Sequence, residues 1–264
     1  MKKYFVIGNP IDHSLSPKLH NHWLTKNNIK AVYDRKKINE EDLQSIISQV
    51  KEKKINGINV TVPFKKTVIP YLDQLSPEAE QTQSVNTIIL SNDNLVGHNT
   101  DIAGFTRAIE KLNFNIQGKK IFILGAGGVV PSIIFALKKM NVESIIVSNR
   151  TKKKAEDLRE IFNFIKIINW GEIPEFDMII NATSLGLNNS DEINLDLSKV
   201  GSNKLFYDII YNPSETKFLK NAKKLGNKTE NGKMMFIYQA YAAFKIWHGI
   251  EPEINDEVLN LFNK

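Results

Sequence analysis

Short apolar runs alternate with segments whose apolar residues recur at helical spacing, from one end of the chain to the other. This alternation predicts an α/β fold. The predicted strands are KYFVIG, AVYDRKKI and INVTVP in the first part of the chain, and KIFILGAG, SIIVSNR, IKIIN, FDMIINAT and KLFYDIIY in the second. The predicted helices cover residues 17–28, 40–54, 102–113, 128–140 and 151–164, followed by the tail segments MMFIYQAYAAFKIWHG and NDEVLNLFN.

The second group of strands is apolar almost throughout, which is typical of a parallel sheet that helices cover on both faces. The strand and helix pattern restarts near Gly118, and no linker rich in Pro, Ser or Gly precedes it. We therefore expect two domains, with a boundary that rests on the pattern alone.

Composition and charge narrow the function classes. The 264 residues include no cysteine, which excludes disulfides, thiolate metal sites and cysteine nucleophiles. The formal net charge is +6, but the lysines are scattered and the run 152–154 has no aromatic residues between its members, so a nucleic-acid partner is not expected. The apolar runs are too short for a bilayer span or a signal peptide, so we expect a cytoplasmic protein with no membrane association. His20 and His22 are two residues apart on a predicted helix and face different ways, so no metal site is expected.

The stretch FILGAGGVVPS joins a predicted strand to a predicted helix, which is the context of a dinucleotide-binding loop. Gly125 allows a tight turn, Gly127 lets a pyrophosphate approach the backbone, and the helix N-terminus offers N–H groups. Val130 replaces the third glycine of the fingerprint, so we expect looser contact between helix and strand there. Pro131 is expected in the first turn of the helix. The alternative is an ordinary structural turn of an α/β protein.

The end of the next predicted strand indicates which dinucleotide is bound. NAD enzymes place an acidic residue there to hold the ribose 2′-OH. This chain has no acid at that position, and Arg150 can bind a 2′-phosphate through its planar fork. Lysines 152–154 open the following helix, where cations are unfavourable unless an anion is bound. The pattern predicts NADP(H), and the alternative for Lys152 and Lys153 is a solvated charge run.

Eight polar motifs occur along the chain, and their order resembles that of the shikimate dehydrogenase family. They are HSLSP, NVTVPFK, VNT with GHNTD, GAGG, SNRT, NATSLG, YDIIYNPSET and the helix with Gln239-Ala240. The family reduces 3-dehydroshikimate to shikimate with NADPH. The resemblance covers the whole chain and implies a Rossmann-type NADP domain at 102–232. It also implies a discontinuous substrate domain at 1–101 and 233–264, with the substrate in the cleft between the domains.

Lys65 and Asp101 match the catalytic pair of the family. Reducing a ketone with hydride leaves an oxyanion, and a positioned lysine can supply its proton. A carboxylate beside it would hold the ammonium group and accept a hydrogen bond from a substrate hydroxyl. From the residues alone, Lys65 could also be a surface lysine, and Asp101 could be the N-cap of the helix that follows.

The resemblance implies further substrate contacts. Ser14 and Ser16 match carboxylate-binding residues, and two hydroxyl groups beside a helix N-terminus suit an anion. Ser16 could also be a helix N-cap, and the two roles can coexist. The full expected substrate set is Ser14, Ser16, Thr61, Lys65, Asn86, Asp101, Tyr211 and Gln239.

The cofactor residues follow in the same way from the resemblance. The phosphate loop is expected at Gly125, Ala126, Gly127, Gly128 and Val129, the adenosine phosphate site at Asn149, Arg150, Thr151 and Lys154, and the nicotinamide site at Thr183, Ile209 and Gly232. The chain departs from the family at 129–131, where Val-Val-Pro stands instead of small residues followed by Lys or Arg. One cationic phosphate contact is therefore absent. A second departure places Gln83-Ser84 before VNT, where the family often has Gly-Ala.

We therefore expect reversible NADPH-dependent reduction of 3-dehydroshikimate to shikimate by a monomer or homodimer. One alternative is a quinate/shikimate dehydrogenase that uses NAD, and Arg150 argues against it. Another is a non-catalytic regulator that binds a dinucleotide. The presence of both Lys65 and Asp101 argues against a regulator, because a regulator needs no proton donor.

Overall fold

The structure is a computed structural model that describes residues 1–188, 191–197 and 200–262. The chain divides into two compact units, one formed by Met1–Gly104 with Ile237–Lys264 and the other by Phe105–Phe236. None of the helices in the described residues is long and apolar enough to cross a membrane.

The first unit is built on a mixed sheet of six strands. Its elements up to the change of unit are β1 (Lys2–Gly8), α1 (Ser16–Lys26), β2 (Ala31–Lys37), α2 (Leu43–Lys51), β3 (Gly57–Val60), β4 (Gln74–Leu75), α3 (Pro77–Thr82), β5 (Thr87–Ser91) and β6 (Asn94–His98). The change of unit falls within the next helix, α4 (Asp101–Glu110). The strand order is β2-β1-β3-β5-β6-β4. Strand β1 is parallel to β2 and β3, whereas β5 runs antiparallel to β3 and β6.

The second unit is built on a sheet of six parallel strands. Its elements are β7 (Lys120–Leu124), α5 (Val130–Lys139), β8 (Ser144–Ser148), α6 (Lys152–Ile161), β9 (Lys166–Ile168), β10 (Met178–Asn181), β11 (Leu205–Asp208), α7 (Lys217–Lys224) and β12 (Lys228–Glu230). The chain then continues through α8 (Lys233–His248) and α9 (Asp256–Asn260).

The hydrophobic pattern explains how these elements pack. In α2, Leu43, Ile46, Ile47 and Val50 recur at helical spacing and are all buried in the core of the first unit. In the second unit every residue of β10 and β11 is buried. The predicted parallel sheet is therefore confirmed, and its continuous apolar strands reflect burial on both faces.

The parallel sheet has the order β12-β11-β10-β7-β8-β9. Counted from β7, this is the strand order 3-2-1-4-5-6 of dinucleotide-binding folds. The direction of winding reverses beside β7, and ligands of such sheets bind outside the carboxyl ends of the strands at that point. The loops that follow β7, β8 and β10 are therefore the first place to look for a cofactor site.

Several predicted boundaries were wrong. Helix α1 begins at Ser16, so Ser16 lies inside the helix and does not cap it, and the cap position is occupied by Leu15. The backbone N–H of Ser16 instead donates to the hydroxyl of Ser14 at 3.3 Å. The predicted helix 40–54 divides into a 3-10 turn and α2, and the helix predicted to start at 128 starts at Val130. Pro131 lies in the first turn of α5, as predicted.

Candidate functional site

Lys65 and Asp101 form a buried ion pair in the first unit. The Lys65 Nζ atom lies 2.5 Å from Asp101 Oδ2. The two residues are 8 % and 5 % exposed, so Lys65 is not the surface lysine that the sequence alone would allow. Asp101 is also not a helix cap, because the side chain of Asn99 accepts hydrogen bonds from the backbone N–H groups of Asp101 and Ile102.

Asn86 holds the second oxygen of the Asp101 carboxylate. Its amide nitrogen donates to Asp101 Oδ1 at 3.0 Å and to the hydroxyl of Thr100 at 2.8 Å. Its amide oxygen accepts from the backbone N–H of Thr100 at 2.7 Å. Asn86 is 3 % exposed. The structure therefore places Asn86 as a support of the Asp101 carboxylate, and the expected contact of Asn86 with substrate stays a prediction.

A second buried asparagine, Asn59, holds the main chain of Asn86 in place. The side chain of Asn59, in β3, donates to the main-chain oxygen of Asn86 at 3.0 Å and to the hydroxyl of Thr87 at 2.9 Å. Its oxygen accepts from the hydroxyl of Tyr33 at 2.7 Å. The backbone N–H of Val85 also donates to the main-chain oxygen of Lys65 at 2.8 Å. The NVTVPFK and VNT motifs are thus joined by hydrogen bonds that fix the position of the ion pair.

The other expected substrate residues occupy separate places. Thr61 follows β3, and its backbone N–H donates to the main-chain oxygen of Ile7. Ser14 stands before α1, and Gln239 lies in α8; both are partly exposed. Tyr211 lies in the second unit, where its ring stacks on Phe236 with 4.5 Å between centroids.

The expected cofactor residues all follow carboxyl ends of strands in the parallel sheet of the second unit. The glycine loop follows β7, residues 149–151 follow β8, Thr183 follows β10, Ile209 follows β11, and Gly232 follows β12. The strand order therefore brings together residues that are more than 100 positions apart in the chain.

Gly125 and Gly127 have different structural reasons to be glycine. Gly125 has φ +110°, and a Cβ atom there would lie 2.7 Å from the main-chain oxygen of Ala182. No other residue type fits that position without strain. At Gly127 the nearest atom to an added Cβ is the same oxygen at 3.9 Å, and the residue is exposed. The protein itself would tolerate a side chain at Gly127, so the absence of one is consistent with close approach of a ligand.

The turn after β8 has no acidic residue, and its arginine is available for a ligand. Arg150 is exposed, and within the described residues its side chain has no hydrogen bond or ion pair. The side chain of Asn149 donates to the main-chain oxygen of Thr151 at 2.8 Å and shapes the turn. In contrast, Lys153 pairs with Asp157 at 3.0 Å, and this ion pair raises the pKa of Lys153. Lys153 is therefore a solvated helix residue, in agreement with the alternative hypothesis of a solvated charge run.

Helices α5 and α6 begin without a side chain that caps the first turn, among the residues that the structure describes. At the starts of α3, α7 and α9, in contrast, the side chains of Ser76, Thr216 and Asn255 accept a backbone N–H of the first turn. Helices α1 and α2 also have no side-chain cap at the N-cap position. Helices α5 and α6 follow the glycine loop and the Arg150 turn, and uncapped N-termini at these places are suited to anions.

The loops expected to line the nicotinamide are joined by a buried polar cluster. Asn181 ends β10, and its side-chain oxygen accepts from the hydroxyl of Thr183 at 2.7 Å. Its side-chain nitrogen donates to Asp208 Oδ1 at 3.0 Å. Burial raises the pKa of Asp208 to about 6, although hydrogen bonds from Thr216, Ile210 and Asn181 act in the opposite direction.

The described residues include no group of three or more His, Asp or Glu side chains arranged to hold a metal ion. His20 is buried and stacks on Tyr33 with 4.2 Å between ring centroids. Burial, and secondarily the charge of His248, lowers the pKa of His20 to about 3. His20 is therefore a neutral core residue at physiological pH.

Sequence reasoning missed the residues that support the site. They are Asn59, Thr87 and Thr100 in the first unit, and Asn181, Asp208 and Thr216 in the second. All six lie within the quoted motifs, and all are buried. The available signal was a polar residue within or just after an apolar strand, because a polar group buried there must have partners.

Three family models match this chain, and together they cover most of it. Residues 6–88 match the family model for the shikimate dehydrogenase substrate binding domain. Residues 107–213 match the model for shikimate / quinate 5-dehydrogenase, and residues 235–255 match that for the shikimate 5′-dehydrogenase C-terminal domain.

Individual relatives match from end to end. The chain is 56% identical to shikimate dehydrogenase (NADP(+)) from Pelagibacter ubique, with all of both chains covered. It is similar in structure to shikimate dehydrogenase from Aquifex aeolicus, with a TM-score of 0.92 and 37% identity over 100% of this chain and 98% of the other. It is also similar to shikimate 5-dehydrogenase from Thermus thermophilus, solved with NADP(H) and shikimate, with a TM-score of 0.88 and 30% identity over 99% and 97% of the two chains. The chain therefore belongs to the shikimate dehydrogenase family.

Proposed function

We propose that this member of the shikimate dehydrogenase family catalyses the reversible NADPH-dependent reduction of 3-dehydroshikimate to shikimate. The observation that carries the proposal is the buried pair of Lys65 and Asp101, 2.5 Å apart and braced by Asn86. Such a pair is costly to bury, and a protein that only binds a dinucleotide has no use for it. The relatives named for this activity support the same conclusion.

The chemistry assigned to the pair follows from its geometry. The nicotinamide supplies or accepts a hydride when the cofactor is bound. During reduction, Lys65 donates a proton from Nζ to the ketone oxygen, which becomes the new hydroxyl group of shikimate. During oxidation, neutral Lys65 takes that proton back. Asp101 holds the ammonium group in position and accepts a hydrogen bond from a neighbouring hydroxyl of the substrate. We assign general acid–base catalysis to Lys65 and orientation to Asp101.

The remaining substrate contacts are proposed on the same basis. Ser14 and Ser16 lie at the start of α1, where hydroxyl groups and a helix N-terminus suit a carboxylate. Thr61, Tyr211 and Gln239 are assigned to substrate from the family motifs. Asn86 is assigned a double role, because its hydrogen bonds support Asp101.

The second unit has the features that NADP requires. The phosphates would be held by residues 125–129 and by the uncapped start of α5. Arg150, with Asn149, Thr151 and Lys154 at the uncapped start of α6, would hold the 2′-phosphate. Thr183, Ile209 and Gly232 would line the nicotinamide. The absence of an acidic residue after β8 favours NADP over NAD.

A steady-state assay tests the proposal. Purified protein is mixed with shikimate or quinate, each with NADP or NAD, and the absorbance of reduced nicotinamide is followed. We expect efficient turnover with shikimate and NADP only. Efficient turnover with quinate or NAD would move the chain to the broader quinate/shikimate dehydrogenases. Binding of NADP without turnover of either acid would instead support the regulator.

Two further expectations belong with this proposal. We propose that the enzyme acts in the cytoplasm and works as a monomer or homodimer. Sedimentation velocity at micromolar protein concentration distinguishes the two oligomeric states. A trimer or larger assembly would contradict this expectation.

A further inference from the structure

A buried polar cluster at the carboxyl ends of β10 and β11 has no role in the chemistry assigned so far. Its members are Asn181, Asp208 and Thr216, which are 0 %, 0 % and 2 % exposed. A carboxylate buried this completely is unfavourable unless donors surround it. We therefore expect the cluster to have a role beyond packing.

Asp208 is the centre of the cluster. Its Oδ1 atom accepts from the side chain of Asn181 and from the backbone N–H of Ile210, both at 3.0 Å. Its Oδ2 atom accepts from the hydroxyl of Thr216 at 2.6 Å. Thr216 is also the N-cap of α7, where it accepts from the backbone N–H of Leu219. One carboxylate thus fastens the end of β10, the loop after β11 and the start of α7.

Asn181 extends this connection to the two loops assigned to the nicotinamide. Its side-chain oxygen accepts from both the backbone N–H and the hydroxyl of Thr183, at 3.1 Å and 2.7 Å. Its main-chain oxygen accepts from the backbone N–H of Ile209 at 3.0 Å. Thr183 and Ile209 are therefore each one hydrogen bond away from the residue that Asp208 holds.

Close packing leaves these loops little freedom to move independently. Gly186 has φ +109°, and an added Cβ there would lie 3.3 Å from Thr216. At Gly232 an added Cβ would lie 2.0 Å from the main-chain oxygen of Ile209. At Gly232 the neighbouring backbone comes too close for a side chain, and at Gly186 the positive φ disfavours one while the side chain of Thr216 packs against it. A displacement at Asp208 would consequently be transmitted to the loops.

We propose that Asp208 is a positioning residue for the nicotinamide half of the cofactor site. It acts through Asn181 and Thr216, which set the backbone of residues 182–186 and 209–211, and it does not touch the cofactor. The inference rests on the proposed function, because that function assigns Thr183 and Ile209 to the nicotinamide. The adenosine half of the cofactor belongs to other loops, after β7 and β8, and is not expected to depend on Asp208.

Two ligands separate a positioning role from a structural one. Adenosine 2′,5′-bisphosphate carries the adenosine and 2′-phosphate of NADP without the nicotinamide. For Asp208→Ala we expect NADPH to bind about 10-fold to 100-fold more weakly, because the loops of Thr183 and Ile209 would shift and lose one or two contacts with the nicotinamide. Binding of the bisphosphate should stay within about two-fold of the unchanged chain. Titration calorimetry measures both dissociation constants.

Conservative and control variants sharpen the test. Asp208→Asn keeps an acceptor for Asn181 and Ile210, and it should recover most of the NADPH affinity. Asp177→Ala is the matched control, because Asp177 accepts from the backbone N–H of Lys120 at 2.9 Å just before β10, at the other end of that strand. This control should bind both ligands as the unchanged chain does.

The outcomes are distinct. Equal weakening of both ligands in Asp208→Ala, or unchanged NADPH binding, would overturn the positioning role. If Asp208→Ala does not fold, Thr216→Val decides the question: weaker NADPH with normal bisphosphate binding supports the role, and equal effects on the two ligands, or none, overturn it. Failure of the unchanged chain to bind either ligand would instead count against the proposed function.

Discussion

The two units expose their candidate sites in opposite ways. In the first unit the central residues are side chains that the fold buries, since Lys65 and Asp101 are 8 % and 5 % exposed. In the second unit the residues assigned to phosphates, such as Gly127 and Arg150, are exposed, and the helices beside them are uncapped.

This difference follows from what each site has to do. Proton transfer needs a group held in one place and shielded from water, which requires a buried and fully bonded side chain. Phosphates need several N–H donors and positive charge, which a helix N-terminus supplies from its backbone. Substitutions in the first unit should therefore act mainly on turnover, and substitutions in the second should act mainly on affinity for the cofactor.

The largest expected effect is that of Lys65→Ala. Loss of the proton donor should lower kcat by about 10²-fold to 10⁴-fold, while shikimate still binds. Steady-state kinetics give kcat, and calorimetry gives the affinity for shikimate. The substitution leaves Asp101 without its partner, so thermal unfolding of the variant is measured alongside.

Lys66→Ala is the matched control for this prediction, because Lys66 is the exposed neighbour. It should leave kcat unchanged. Turnover of Lys65→Ala close to that of the unchanged enzyme would remove Lys65 from the mechanism.

Arg150→Ala tests the second unit. Losing a charge-assisted pair with the 2′-phosphate should raise the KM for NADP by about 10-fold to 100-fold and leave kcat largely unchanged. The weaker reaction with NAD should change little, because NAD has no 2′-phosphate. Arg159→Ala, on the exposed side of α6, serves as the control. Equal losses with NADP and NAD would show that Arg150 supports the fold of the loop and does not select the cofactor.

Two glycine substitutions separate strain from ligand contact within the second unit. Gly125→Ala should lower the free energy of unfolding by roughly 1–3 kcal/mol, because φ is +110° and the new Cβ would meet the main-chain oxygen of Ala182. Gly127→Ala should leave unfolding nearly unchanged and weaken NADP binding instead. Denaturant unfolding and calorimetry measure the two effects. If Gly127→Ala bound NADP normally, the phosphates would not approach that residue.

The smallest expected effect concerns pH. The pKa of His20 is lowered to about 3, whereas an unfolded histidine has a pKa near 6.5. Below pH 6.5 His20 binds a proton in the unfolded chain but not in the folded chain. The free energy of unfolding therefore falls as the pH falls, by about 1.4 kcal/mol per pH unit. Asp208 has the opposite sign: its pKa is raised to about 6, so its contribution to stability increases as the pH falls from about 6 towards 4.

His20→Phe should remove the acid sensitivity of the first unit and keep the ring stacked on Tyr33. The readout is denaturant unfolding at pH 7 and pH 5.5, followed by the fluorescence of Trp23 and Trp247, which pack near His20. The loss between these two pH values should be about 1 kcal/mol smaller in the variant. An identical loss in both proteins would show that His20 does not titrate as described.

Much of the fold was predictable because the apolar pattern is strong where burial is complete. The strands β7, β8, β10 and β11 were all predicted, and their parallel arrangement was correct. The hairpin of β5 and β6 was not predicted, although the apolar run in TIILS and the two-residue turn Asn92-Asp93, with both residues at positive φ, are typical of a hairpin. Helix ends were also misplaced, because which side chain accepts the first N–H groups depends on three-dimensional geometry.

The candidate site was likewise predictable only in part. The residues assigned to chemistry lie in motifs that can be read from the sequence, and they became residue assignments through resemblance to the family. The support of those residues could not be read in this way. Asn59 bonds to Asn86, and Asp208 bonds to Asn181. In each pair the two residues are 27 positions apart in the chain, and only the folded sheet brings them together.

Hydrogen–deuterium exchange with each ligand alone tests the central claim, that the first unit holds the substrate at Lys65 and Asp101 and the second unit holds the phosphates of the cofactor. Shikimate should slow exchange in the segments around residues 61–66 and 84–101 and leave residues 125–129 and 149–154 unchanged. NADP should do the reverse. Protection of the second unit by shikimate, with none in the first, would contradict the assignment of Lys65 and Asp101 to the substrate.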